Sequence, residues 1–316
     1  MTVQNLVAFF EAHVSAEEKR PATVQQYGSF LRRFDRYLQE QHGLSLKPED
    51  IGRIKGLHLS AYLQELAAED RTVSTRNNYI VILKRFFSCM KGIGMIKKDP
   101  SQVLHCVKEK KTPEVLERQA QKRYTAEEVK ALIEAVSSPH PKHNDLRDAA
   151  IIALILGSGL RAFEVCALNI SQMEGIRQGD LFCLRKGGNW AHVSVADFVA
   201  PSIDRYLTGR QDAKPDDPLF LSQKGNRLDR KTLWKSLAAK QQRLNLKTGV
   251  HIFRHTLLTA VDQAGGSAMA RDVGGHSTVY VTNRYVHTSM EERQQAVSDT
   301  PFAETILKVF PLDKAS

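Results

Sequence analysis

The 316 residues contain no apolar run of membrane-spanning length, and the opening MTVQNLVAFFEAHVSAEEKR carries acids where a secretory leader would be basic and then apolar. Neither a membrane span nor a leader is expected, so the reading is a soluble, cytoplasmic protein. Cysteine is scarce. Cys89, Cys106, Cys166 and Cys183 form no CxxC pair and stand in apolar surroundings, which argues against a zinc frame or disulfide scaffold. They read as reduced core residues. Cofactor signatures are missing as well, since GSGLRA at 157–162 fits neither a P-loop nor a dinucleotide fingerprint. His251 and His255 have HxxxH spacing, but Ile252 stands where a zinc hydrolase needs glutamate. No metal and no cofactor are expected. Acids are the minority charge, 35 against 45 Lys and Arg, which leaves a net charge of +10 and favours a polyanionic partner.

What is present is enough for two domains, with 42% apolar residues and ordinary globular length. Residues 1–106 read as all helical. Val24, Tyr27, Leu31, Phe34 and Leu38 form one apolar stripe, with Arg32, Arg33 and Arg36 off it. Leu59, Leu63 and Leu66 mark another helix. Ser74 is the expected N-cap of a third, which buries Tyr79, Leu83, Phe86 and Met90 and carries Arg76, Lys84, Arg85 and Lys91 outside. These outward bases suit a DNA backbone, although on any single helix they read equally as a solvated face. Residues 107–123, charged and containing Pro113, read as a linker.

The remainder, 124–316, is mixed. Thr125 and Glu128 form a capping box ahead of the helical face Val129, Leu132, Ile133 and Val136. RDAAIIALILGSGLRAFEVCAL reads as a buried helix stopped by Gly157 and Gly159, with Arg161 at the break and Glu164 three residues on. That pair reads locally either as a cleft arginine held by a buried partner or as a structural pair. Asp180 to Arg185 and Trp190 to Val195 read as a hairpin with Lys186 in its turn. KTLWKSLAAKQQRL is a further helix, and Thr248 is the expected N-cap of the one that follows.

That following stretch, residues 251–287, carries the chemistry. His251 and Arg254 share a helical face and can address one anion, the arginine with forked donors matched to phosphate oxygens. Histidine moves protons near neutral pH, and the Tyr285 hydroxyl is a possible covalent nucleophile, with Tyr280 as its rival. Together these point to phosphoryl transfer through a phosphotyrosine.

Arg161 in GLRAFE, Lys186 in a hairpin turn, HIFR, GGHS and RYVH, in this order and spacing, resemble the tyrosine recombinase/integrase family. Xer-type enzymes and simple transposon or phage integrases without an arm-binding domain are nearest in layout. The resemblance implies a mainly α fold: a helical-bundle core-binding domain and a mostly helical catalytic domain with a small antiparallel β-sheet, forming a C-shaped clamp on DNA. It also implies a division of labour. Tyr285 attacks the scissile phosphate, and Arg161 and Arg254 neutralise the non-bridging oxygens. Lys186 (or Lys224, in a similar turn) protonates the 5′-oxygen, His251 handles the tyrosine proton, His276 donates to the phosphate, and Glu164 holds Arg161. The expected partners are double-stranded DNA and further subunits, as a homotetramer or as a heterotetramer with a paired recombinase, and the tail at 301–310 would dock on a neighbour. Two departures stand out: GGH, with Gly275 before His276, stands where LGH is usual, and Phe163 is bulky. The other readings are a silent DNA-binding accessory protein of the same fold, which predicts an eroded constellation, and a type IB topoisomerase, which predicts a monomer without site specificity.

Overall fold

The computed structural model describes residues 5–108, 110, 112–113, 123–136, 142–185, 188–275 and 290–309. The chain divides into two compact units, Met1–Thr112 and Pro113–Ser316. Most of the expected linker, 107–123, lies outside the described residues.

Among the described residues the first unit holds four α-helices: α1 (Leu6–Ala16), α2 (Pro21–His42), α3 (Gly56–Ala68) and α4 (Val73–Gly92). Their apolar faces meet in one core that includes Phe10, Leu31, Phe34, Leu59, Tyr62, Leu83 and Phe86. The α2 stripe is buried from Leu31 onward, while Val24 and Tyr27 pack at its margin. The expected cap of α4 is corrected. Thr72, not Ser74, caps it, because the Thr72 hydroxyl already accepts from the Thr75 amide at 3.2 Å and leaves Ser74 inside the first turn.

Among its described residues the second unit contains α5 (Ala126–Val136), α6 (His143–Ser158), α7 (Ala162–Ala167), α8 (Met173–Arg177), the strands β1 (Asp180–Leu184) and β2 (Trp190–Ser194), and five later helices. These are α9 (Val199–Leu207), α10 (Arg230–Arg243), α11 (Val250–Gly274), α12 (Met290–Ser298) and α13 (Ala303–Val309). The capping box of α5 forms as read, with the Thr125 amide donating to Glu128 at 2.8 Å and the Glu128 amide to the Thr125 hydroxyl at 3.2 Å. Helix α6 is the axis of the unit: every residue from Arg147 to Ser158 is buried, and α5, α9 and α11 pack around it. Gly159 ends it with φ 66°, ψ 21°, the left-handed conformation that glycine adopts without penalty. The strands pair antiparallel from Asp180↔Ser194 to Leu184↔Trp190. Helix α11 is kinked at Gly266.

Two further expectations meet this unit, and a third, on the cysteines, spans both. Gly249, not Thr248, stands at the N-cap of α11, because the buried Gln241 side chain binds both the N–H and the carbonyl of Gly249. The tail helix α13 packs on α5 and buries Phe302, Ala303 and Ile306 in the core of its own unit. Cys166 and Cys183 are buried, and burial pushes each thiol up to about 11, but Cys106 is exposed and Cys89 half-buried, so the cysteines are not uniformly core. Among the described residues no helix is long and apolar enough to cross a membrane.

Candidate active site

Four junctions of the second unit converge: the end of α6, the start of α7, the end of β1 and both halves of α11. Arg161 is the residue before α7. Its amide donates to Glu164 Oε2 at 2.8 Å and its Nη1 to Glu164 Oε1 at 3.1 Å. One carboxylate therefore caps the helix and fixes the arginine, and it is fully buried while Arg161 keeps 15% of its side chain exposed. The arginine end of the pair faces outward, which suits a cleft residue held from behind.

Arg254, in the second turn of α11, is buried. Its Nη1 donates to the Gly159 carbonyl and its Nη2 to the Gly274 carbonyl, the latter at 2.6 Å. Both acceptors lie at helix C-termini, of α6 and α11, where carbonyls lack helical partners and the peptide dipoles concentrate negative charge. This satisfies a guanidinium that would otherwise be costly to bury. Burial, followed by repulsion from Arg161 and Arg185, lowers the Arg254 pKa to about 10, while Glu164 acts in the opposite direction. Arg254 therefore remains charged at neutral pH. His251, one turn earlier on the same helix, is exposed. Lys186, His276 and Tyr285 lie outside the described residues, as does Tyr280.

Two buried side chains belong to this arrangement and were not singled out from sequence. Arg185 places Nε 3.3 Å from Glu164 Oε1 and donates from Nη2 to the Gly274 carbonyl at 3.1 Å. The available signal was strand alternation: Leu181 and Cys183 face inward, so Arg185 is a charge on the buried phase. Gln241 donates to the Tyr124 hydroxyl at 2.8 Å and accepts from the Gly249 amide at 2.8 Å, which fixes the entry to α11. The Tyr124 amide in turn donates to Thr256 Oγ1 at 2.9 Å. No local sequence pattern marks Gln241. Lys224, the other candidate acid, lines a separate polar cavity of about 540 Å³ with Arg147, Asn226 and Lys235.

The seven bases singled out on the first unit lie on α2 and α4, and three of them are paired with carboxylates. Arg32 bonds Glu11 at 2.9 Å, Arg33 bonds Glu69 at 2.8 Å, and Arg85 bonds Glu17 while lying 5.8 Å from the Tyr27 ring centre. Arg36 is exposed, and Arg76 and Lys84 are half-buried.

Comparison with known proteins identifies the family. The phage integrase family pattern matches residues 122–292, and the N-terminal SAM-like domain of phage integrases matches residues 6–91. Tyrosine recombinase XerC of Pelobacter propionicus is 26% identical over 288 residues, covering 89% of this chain and 90% of the relative. XerC of Myxococcus xanthus is 29% identical over 307 residues, covering 92% and 95%. Among solved structures, the lambda integrase tetramer bound to a Holliday junction is similar in fold, with a TM-score of 0.64 at 16% identity over 88% of this chain and 78% of that one. The catalytic-domain match alone spans more than half of the sequence, and its boundaries enclose Arg161, Glu164, Arg185 and Arg254: the chain belongs to the phage integrase family and is a tyrosine site-specific recombinase.

Proposed function

We propose that the protein cuts and rejoins double-stranded DNA at a defined site through a 3′-phosphotyrosyl intermediate and a Holliday junction, without metal or ATP. The observation that carries the reading is the guanidinium pair Arg161 and Arg254, held by a buried carboxylate and by two helix-end carbonyls. Such a pair neutralises charge on the non-bridging oxygens as the pentacoordinate transition state forms, a preorganised electrostatic contribution that needs no metal. Tyr285 Oη forms the new bond to phosphorus as the bond to the 5′-oxygen breaks. His251 accepts the tyrosine proton, Lys186 gives a proton to the departing 5′-oxygen, and His276 donates to a phosphate oxygen. Reversal by another 5′-hydroxyl restores the phosphodiester, so the covalent link conserves bond energy across the exchange. A homotetramer, or a heterotetramer with a paired recombinase, would bring two duplexes together. The likeness of fold to the lambda integrase tetramer on a Holliday junction supports this assembly. On the first unit, Arg32, Arg33, Arg36, Arg76, Lys84 and Arg85 would follow the DNA backbone, three of them exchanging a carboxylate for a phosphate.

The test is a nicked suicide duplex carrying the DNA that flanks the gene, incubated without metal or ATP and resolved on a denaturing gel. A covalently attached strand is expected with the wild type and is absent with Tyr285→Phe. Trapping by Tyr285→Phe would move the nucleophile, to Tyr280 first. DNA retained on a native gel with no covalent strand would favour the accessory protein of the same fold. For the acid, Lys186→Ala regains activity on a 5′-phosphorothiolate substrate, whose leaving group needs no proton; recovery confined to Lys224→Ala would reassign the role.

A further inference from the structure

Two contacts of the Arg185 side chain are each shared with one arginine of the pair. Glu164 Oε1, 3.3 Å from Arg185 Nε, also accepts from Arg161 Nη1. The Gly274 carbonyl, 3.1 Å from Arg185 Nη2, also accepts from Arg254 Nη2. The result is a continuous chain of contacts from Arg161 through Glu164, Arg185 and Gly274 to Arg254. A third guanidinium is a poor choice for balancing charge here, because it adds repulsion to a site that already holds two. The repulsion is felt at Arg254, whose charged form Arg161 and Arg185 both disfavour. Its placement is explained by shape: the planar fork reaches two acceptors in fixed directions, which an ammonium cannot do. The fit is close, since a Cβ at Gly275 would lie 2.6 Å from Arg185 Nη2. The backbone adds to it, with the Arg185 amide donating to the Asn189 carbonyl at 2.8 Å and the Gly188 amide to the Arg185 carbonyl at 3.2 Å, so the same residue closes the hairpin turn.

We propose that Arg185 is a positioning residue of the phosphate clamp, a crosslink that sets the spacing between Arg161 and Arg254. The proposal rests on the phosphotransfer reading above. It is tested with full-length protein on the nicked duplex, comparing an ordinary scissile phosphodiester with a methylphosphonate at the same position. The methyl group replaces one non-bridging oxygen and removes its charge, so the spacing of the clamp matters less.

Loss of a single preorganised donor commonly costs about 100-fold or more, and a residue acting through the donors is expected to cost less, about tenfold or more on the phosphodiester. On the methylphosphonate the deficit of Arg185→Ala should shrink to less than about threefold. Arg185→Lys, which keeps the charge beside Glu164 but not the fork, should fall between Arg185→Ala and the wild type on the phosphodiester. It also carries the test if Arg185→Ala does not fold, as judged by Tm and by retention of DNA on a native gel. Equal deficits on the two substrates would overturn the proposal, and so would wild-type rates on both. In the Arg161→Ala background, adding Arg185→Ala should change little; a further loss as large as in the wild type would show that Arg185 acts independently of the clamp and would also overturn it. If the wild type forms no Tyr285-dependent covalent strand, or if the defect of Arg161→Ala is not relieved by the methylphosphonate, the parent reading fails, an outcome distinct from failure of Arg185 alone.

Discussion

Glu164 is paired with both Arg161 and Arg185, and it has no exposed side-chain surface. Removing one partner of a buried ion pair leaves the other charge desolvated and typically costs about 3–5 kcal/mol. Glu164→Gln keeps the shape and part of the hydrogen bonding, so the lower end of that range is expected, read as a fall in Tm together with slower covalent trapping; a variant with unchanged Tm would mean that solvent or another group already balances the arginines. Arg254 yields a pH prediction. Its folded pKa, about 10, lies below that of a free guanidinium, so its charge is disfavoured by folding, present at neutral pH, and lost as pH rises through about 10. A lysine starts near 10.4, and the same burial and repulsion would lower it further, toward neutrality. Cleavage by Arg254→Lys should therefore decline as pH rises from 7 to 9 while the wild type holds level, and parallel profiles would contradict the assigned cause.

The helices depend on ties that cross them. Gln241 on α10 bonds Tyr124 ahead of α5 and Gly249 ahead of α11, so one amide fixes the start of the helix that carries His251 and Arg254. Gln241→Leu would leave the Gly249 amide without that acceptor, at a cost of about 1–3 kcal/mol. Because α11 would then begin less firmly, the trapping rate should fall by more than the loss of folded protein explains; a rate that follows folded fraction alone would confine Gln241 to stability. Features readable from sequence are those made within a few residues. The Thr125–Glu128 box, the stripe of α2 and the strand–turn–strand pattern all arise from local geometry. Thr248 misled because the peptide after it is held by Gln241, which no local rule connects to it. Arg185 reads from sequence only as the end of a strand, because its acceptors are 21 and 89 positions away, on Glu164 and Gly274. Arg161 and Glu164 were found because the helix start brings them together by itself.

The net charge of +10 implies DNA binding that weakens steeply with salt, since neutralised phosphates release counterions. Part of the basic surface of the first unit is offset by Glu11, Glu17 and Glu69. Exposed pairs of this kind contribute at most about 1 kcal/mol each to stability, so Glu11→Gln, Glu17→Gln and Glu69→Gln together should leave the fold intact. They carry the net charge from +10 to +13. Tighter binding to unrelated duplex and a steeper dependence on salt are expected by native gel at 50–200 mM; an unchanged slope would place these arginines away from the DNA. In the second unit, two anchors of Arg254 are peptide carbonyls. No codon change at 159 or 274 can delete an acceptor that every amino acid supplies, so a substitution scan at these positions reports only on the path of the main chain. An amide-to-ester replacement at 275, which weakens the preceding carbonyl, reaches what such a scan cannot. The grip on the arginine is thus inherited in the backbone itself, and at 159 the left-handed φ keeps glycine in place as well.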